Sequence, residues 1–225
     1  MHEVTILKLW GRGKIILRRF VAVEFKLAFL RRGGRMFEHV TILLSFVFAI
    51  ALTHLLSTAT ELLLARDRVR FSGLHALWMT NALLALLVNW LSLWGLVIIK
   101  HWTVPEVVLQ FAAAIMQYFT CSTLAIRAPD HESIDVPAIF ERHRHVIFAA
   151  FAATAIIAMI QNYWDRNNSA GLSSTAWVVE DLGVLPALIA ALIAGWARPQ
   201  WLQWLAGLAM TAISIVFLAI YAMPA

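Results

Sequence analysis

The chain has 225 residues, of which 61% are hydrophobic and only 14% charged, and its mean hydropathy is +0.77. Because soluble domains carry roughly a quarter charged residues, this composition excludes an ordinary soluble domain and predicts an integral membrane protein. The single cysteine, Cys121, excludes an intramolecular disulfide and a cysteine-rich metal site.

The net charge of +5 is concentrated at the N-terminus, where half of the 18 lysines and arginines precede Met36. The basic character of residues 1–35 therefore does not indicate nucleic-acid binding. Basic residues interrupt every apolar run there, which excludes a signal peptide. Two interpretations stay open. Residues 15–30 form a basic helix on the membrane surface, or the translation start has been assigned too far upstream. The second is favoured, because the Arg-Arg-Gly-Gly-Arg run at 31–35 resembles a translated ribosome-binding site ahead of Met36.

Six apolar segments follow, each near the length that crosses the hydrocarbon core of a bilayer. We predict an all-α, polytopic transmembrane helical bundle of about six spans over residues 36–225. The predicted spans are about residues 39–65, 74–99, 106–126, 145–163, 181–197 and 201–221.

Polar connections between the spans carry two predicted helix starts. Asp135, with Pro137 in the first turn, predicts a helix that leads into the fourth span. Asp181, which follows Glu180, is expected to cap the fifth span, and residues 164–180 are then a loop.

Arginine placement predicts the orientation. With Met36 as the start, the connections after spans one, three and five carry seven basic residues, against two on the other side. Because basic residues favour the cytoplasm, we expect a bacterial inner-membrane protein with both termini in the periplasm; translation of residues 1–35 would reverse the count. The seven are Arg66, Arg68, Arg70, Arg127, Arg142, Arg144 and Arg198.

Four ionisable residues form the candidate intramembrane cluster. His54 and Glu61 are seven residues apart, which places them within about 20° on one face of a helix, and His75 and His145 begin spans two and four at a similar expected depth. Ionisable groups in hydrocarbon are costly and usually face the bundle interior or water. A structural or interfacial role is favoured over a proton or ion path.

A haem or divalent metal held by His54 with His75 or His145 is a further alternative. No cofactor, metal site or catalytic residue is predicted, because no motif such as HExxH, CxxC or a phosphate-binding loop is present.

Amide side chains follow one face of each of two spans. Asn81 and Asn89 lie on such a face in span two, and Gln110 and Gln117 do so in span three. Because amides hydrogen-bond across helix interfaces in membranes, helix packing is favoured over a polar permeation path.

The segment from Met36 resembles a group of small bacterial six-helix integral membrane proteins without assigned activity. Their pattern is an acidic N-terminus, a Leu-Thr-His-Leu-Leu element, an arginine-rich turn and a His-x-x-Trp start to the second helix. Here these elements are Glu38, Leu52–Leu56, Arg66–Arg70 and His75–Trp78. The resemblance implies an inner-membrane bundle that starts at Met36, and it implies no activity.

The function predicted is a non-catalytic membrane subunit, sensor or minor transport component, since no soluble domain or catalytic motif is present. A haem- or metal-binding redox protein and a proton- or ion-coupled transporter using His54 and Glu61 stay open as alternatives. The expected partners are the lipid bilayer and either a second copy of the chain or other membrane subunits, without nucleic acid.

Overall fold

In the computed structural model, residues 37–98, 102–126, 133–168 and 174–222 are described, and the predictions for residues 1–35 and Arg127 fall outside them. The described part forms six α-helices, which confirms the all-α bundle. The helices are α1 (Phe37–Leu64), α2 (Gly73–Ser92), α3 (Val104–Leu124), α4 (Val136–Asn168), α5 (Ser174–Trp196) and α6 (Gln200–Ala222). Five of them are long and apolar enough to cross a membrane, and α5 contributes a shorter apolar helix, Gly183–Trp196. A 3-10 helix, Leu93–Ile98, follows α2.

Helices α2 to α6 form a closed ring, because each packs on the next and α6 returns to α2. Trp78 of α2 is fully buried inside the ring, and its indole lies edge-on to Phe148 and Phe151 of α4 at centroid distances of 4.5 and 5.3 Å. Such aromatic pairs stabilise a core beyond their buried area. Gly207 lets α6 approach α2 closely, since a Cβ at that position would lie 2.6 Å from Leu77.

Helix α1 contacts α3 through His54 and Tyr118, and its buried face belongs to the same core cluster as residues of α2. Its buried residues recur every three or four positions, as expected for one face of a helix. The opposite face exposes large apolar side chains such as Phe46 and Leu64, which suits contact with lipid. The buried stripe is Val40, Leu44, Phe48, Ala51, Leu55, Thr58 and Leu62.

Three connections meet at one end of the bundle. The two-residue strands β1 (Val69–Arg70) and β2 (Ile134–Asp135) pair in parallel, and their second residues form an ion pair at 3.1 Å. The turn between α5 and α6 lies at the same end of the bundle as these strands, because Arg144 Nη1 of α4 donates to the carbonyl of Ala197 at 3.4 Å. The connections predicted to share one side of the membrane therefore lie at the same end, which is called the arginine end below.

The fourth helix is longer than the predicted span. It begins at Val136, and Asp135 caps it, as predicted, by accepting a hydrogen bond from the amide of Ala138 at 3.1 Å. Hydropathy located only the part inside hydrocarbon, near residue 145. The helix itself starts earlier, because the i to i−4 hydrogen bonds also form where side chains are polar.

The fifth helix corrects two predictions. Helix α5 begins at Ser174, so Asp181 lies inside the helix and the prediction that it caps the span is wrong. Residues 164–168 and 174–180 are helical rather than part of a loop. Charged residues marked the edge of the apolar segment, but a helix does not have to end where its apolar segment ends.

Candidate functional site

A groove of about 530 Å³ runs along α1 beside the C-terminal end of α3, and it is called the α1 groove below. Five of its seven lining residues are polar, although polar groups exposed to hydrocarbon are costly. The lining consists of Ile50, Thr53, His54, Ser57, Thr58, Glu61 and Ala125. The structure therefore brings His54 and Glu61 to one groove.

Helical periodicity explains this polar wall, since its members are spaced three or four residues apart and share one side of α1. At 1.5 Å per residue, His54 and Glu61 are about 10 Å apart along the helix axis. Ser57 and Thr58 lie between them. A hydroxyl both donates and accepts a hydrogen bond, so these two residues can link an imidazole to a carboxylate over that distance.

His54 has a partner on the neighbouring helix. Its Nε2 atom lies 3.4 Å from the hydroxyl oxygen of Tyr118 on α3, and the two rings meet edge-on with centroids 5.5 Å apart. Sequence reasoning missed Tyr118. The available signal was that Tyr163 and Tyr221 stand at predicted span ends, whereas Tyr118 stands inside a span.

The groove leads inward from the arginine end. A hydrocarbon core of about 30 Å centred on α1 places Glu61 at its edge and His54 about 10 Å inside it. The polar lining ends at Thr53 and His54, and Ile50 closes the groove one turn further along α1. In the described part of the chain, the α1 groove is therefore polar on one side of the membrane only.

His75 lies outside the α1 groove. It is 2% exposed, and its Nε2 atom lies 2.9 Å from the carbonyl oxygen of Leu124. A carbonyl only accepts, so the hydrogen is on Nε2 and His75 donates. This bond ties the start of α2 to the end of α3, while the ring lies edge-on to Phe140. The geometry supports a structural role for His75.

His145 also lies apart from His54. It is exposed on α4, and its ring centroid is 5.9 Å from that of Trp196 on α5. Each of the three histidines thus has a different neighbour. Among the described residues, no group of three or more histidine, cysteine or acidic side chains is placed to hold a metal ion.

Similarity to known proteins adds nothing to this geometry. Comparison of the chain with protein families, curated proteins and solved structures finds no match. The resemblance of residues 36–78 to small bacterial membrane proteins stays a prediction, and the function proposed below is inferred from the α1 groove.

Asn81 joins α2 to α6 in the ring. It is fully buried, donates through Nδ2 to the carbonyl of Gly207 at 3.0 Å, and accepts through Oδ1 from Thr211 Oγ1 at 2.9 Å. Both hydrogen bonds cross between helices, so Asn81 acts in packing.

A second amide pair joins α2 to α3. Asn89 Nδ2 donates to Gln117 Oε1 at 2.9 Å, and Gln117 Nε2 donates to the carbonyl of Ala82 at 3.3 Å. Gln117 is fully buried, whereas Gln110, two helical turns earlier on α3, is only partly buried. Asn89 and Gln117 hold helices together and do not line the α1 groove.

Arg144 was predicted only as one of the arginines of the cytoplasmic connections, and the structure buries it to 8% exposure. Its Nη1 atom lies 2.7 Å from Glu141 Oε1 and also reaches the carbonyl of Ala197. The spacing of Glu141 and Arg144, three residues on one helix face, was the available signal. Arg144 fixes the start of α4 to the turn that follows α5.

Proposed function

We propose that the protein is a non-catalytic multi-pass membrane sensor that responds to protonation of His54 in the α1 groove. The supporting observation is the contact of His54 Nε2 with the Tyr118 hydroxyl at the inner end of a polar groove. Histidine is the side chain whose charge changes most readily near neutral pH. A hydrocarbon environment makes that charge costly, so protonation there has a large effect on local structure.

Protonation acts on the contact between α1 and α3. When Nε2 of His54 carries no hydrogen, the Tyr118 hydroxyl donates to it; in the imidazolium both ring nitrogens donate, so the hydroxyl has to turn and accept. The charged ring is also attracted towards Glu61, the carboxylate in the same groove. Among the described residues, Glu61 on α1 and Tyr118 on α3 are the titratable groups that face His54 from the packed helices. Protonation therefore shifts α1 against α3.

The arginine end supports an orientation for this sensor. Basic connections favour the cytoplasm, so we place the arginine end on the cytoplasmic side of a bacterial inner membrane and the mouth of the α1 groove towards the cytoplasm. The first residue of α1 and the last of α6 lie at the opposite, periplasmic end. A second copy of the chain or another membrane subunit that contacts α1 can respond to this shift.

Proton-coupled transport through His54 and Glu61 is the second candidate. The hydroxyls of Ser57 and Thr58 between these two residues favour it, because they suit proton transfer along the groove. The apolar turn of α1 beyond His54 argues against a complete path, and for this reason we rank the sensor first.

¹³C NMR on the protein in nanodiscs, with histidine and tyrosine side chains labelled selectively and the Tyr118 resonance assigned by Tyr118→Phe, tests the proposal. The resonance absent from His54→Gln identifies this residue, and its chemical shift is followed between about pH 5 and 8, the range in which histidine acts as a switch. The Tyr118 ring resonance should shift with the same midpoint, and this shift should be lost in His54→Gln. The matched control, His145→Gln, removes an exposed histidine outside the groove and should leave the Tyr118 shift intact.

A proton-flux assay in proteoliposomes and a visible absorption spectrum separate the alternatives. The sensor predicts no flux and no Soret band. Flux that His54→Gln abolishes would replace the sensor by a transporter, and a Soret band lost in the same variant would replace it by a haem protein. A His54 resonance that is constant over this pH range would refute protonation as the signal.

A further inference from the structure

The first turns of α4 and the end of α5 are in contact at the arginine end, and their shared surface (residues 142–145 and 196–198) is called the cleft below. Two contacts join them: the ring pair of His145 and Trp196 at 5.9 Å, and the hydrogen bond from Arg144 to the carbonyl of Ala197. Because Arg144 is buried between these segments, residues 142–145 and 196–198 are held side by side. The cleft is independent of the α1 groove.

Two arginines of this cleft have no acidic partner in the part of the chain that the structure describes. Arg142 and Arg198 are exposed, and neither forms an ion pair with any residue that the structure describes. Glu141, the adjacent carboxylate, is already engaged by Arg144 at 2.7 Å. Other arginines at the same end are paired: Arg66 with Asp67 at 3.9 Å and Arg70 with Asp135 at 3.1 Å. Within the described ranges, the cleft therefore concentrates positive charge that no carboxylate pairs with.

The charged, aromatic and apolar residues of the cleft follow one another in the order of the layers of a bilayer surface. Arg142 lies three residues before His145, about 4.5 Å nearer the start of α4, and Arg198 follows the end of α5. Both charges are thus on the aqueous side of the ring pair. Trp196 is 58% exposed, as expected for an aromatic residue at the membrane interface. One turn deeper on α5, Leu192 and Ile193 are exposed apolar residues.

We propose that this cleft binds the headgroup of an anionic phospholipid. Guanidinium groups match the geometry of phosphate oxygens, so Arg142 and Arg198 hold the phosphate. The His145–Trp196 pair lies against the glycerol region, and Leu192 and Ile193 contact the acyl chains. This apolar continuation favours a lipid over a soluble phosphate ester. The negative cytoplasmic leaflet is also the one that attracts juxtamembrane basic residues.

Native mass spectrometry of the full chain in detergent tests the site by titration with phosphatidylglycerol or phosphatidylcholine. The dissociation constant of the first lipid bound should be lower for phosphatidylglycerol, and the double variant Arg142→Gln/Arg198→Gln should lose roughly tenfold of this preference. The matched control is Arg66→Gln/Arg70→Gln, which removes the same charge at the same end from ion-paired positions. We expect the control to keep the preference.

Three results would overturn the proposal. Equal binding of both lipids by the unchanged protein would remove the site. An equal loss in the control would show that total charge, rather than the cleft, attracts the lipid. Displacement of bound phosphatidylglycerol by excess glycerol 3-phosphate would show that the cleft recognises a soluble phosphate ester. Thermal unfolding is measured in parallel, and Arg142→Gln alone replaces the double variant if the latter fails to fold.

Discussion

Replacement of Asn81 by alanine measures how strongly the polar contacts hold the ring together. The change removes two hydrogen bonds between α2 and α6, of 3.0 and 2.9 Å. Interhelical hydrogen bonds in membranes contribute about 0.6 kcal/mol on average and up to about 1.7 kcal/mol. Without Asn81, the single hydroxyl hydrogen of Thr211 turns to the carbonyl of Gly207 at 2.9 Å, so no donor is orphaned. We expect a loss of about 1–3 kcal/mol in unfolding free energy, including a small cavity.

Reversible unfolding in mixed dodecyl sulfate micelles, followed by circular dichroism, provides the measurement. A double-mutant cycle with Thr211→Val isolates one of the two bonds and should give a coupling of about 0.6 kcal/mol. Thr80→Ala is the matched control, because Thr80 is exposed on the same helix and its hydroxyl bonds only to Ala76 of that helix. A loss in Asn81→Ala no larger than in Thr80→Ala would refute the assigned packing role.

Two further predictions concern the ring. Gly207→Ala places a Cβ 2.6 Å from Leu77 Cδ2 and should lower the unfolding free energy by about 1–3 kcal/mol in the same assay. The control Ala212→Val, on the exposed side of α6, should be tolerated. Equal effects of the two substitutions would show that α2 and α6 are not tightly packed. The Cys121 thiol is fully buried and should react with a membrane-permeant maleimide only after unfolding, as followed by mass spectrometry. Rapid modification of the native protein in nanodiscs would show that α3 opens.

Apolar length was sufficient to predict the number of helices and most of their bounds. Helix α1 spans residues 37–64 where 39–65 was predicted, and α3 spans 104–124 where 106–126 was predicted. In these segments the helix and its apolar part end together. They do not in α4 and α5, because a backbone hydrogen-bond ladder extends into water while hydropathy responds only to the side chains.

The pairing of side chains was less predictable than the helices. His54 and Glu61 share a groove, as their spacing on one helix implied, because that relation is local. Whether His75 joined them depended on which way α2 faces α3, and its bond to Leu124 settled that. Relations between helices depend on packing of the whole bundle, and a single span carries no information about its neighbour.

Polar residues of this bundle divide into two groups by what they bond to. Asn81 and Gln117 each bond across to another helix, so stability alone accounts for their presence. The polar wall of α1 is different: Thr53 bonds only to the carbonyl of Ala49 on its own helix, and Glu61 lies exposed. Apart from His54 and the buried Thr58, these groove side chains add little to packing, while an ionisable residue at the edge of hydrocarbon has a cost. These polar side chains of α1 have a cost in hydrocarbon that packing does not offset, and for this reason we assign function to the α1 groove rather than to the ring.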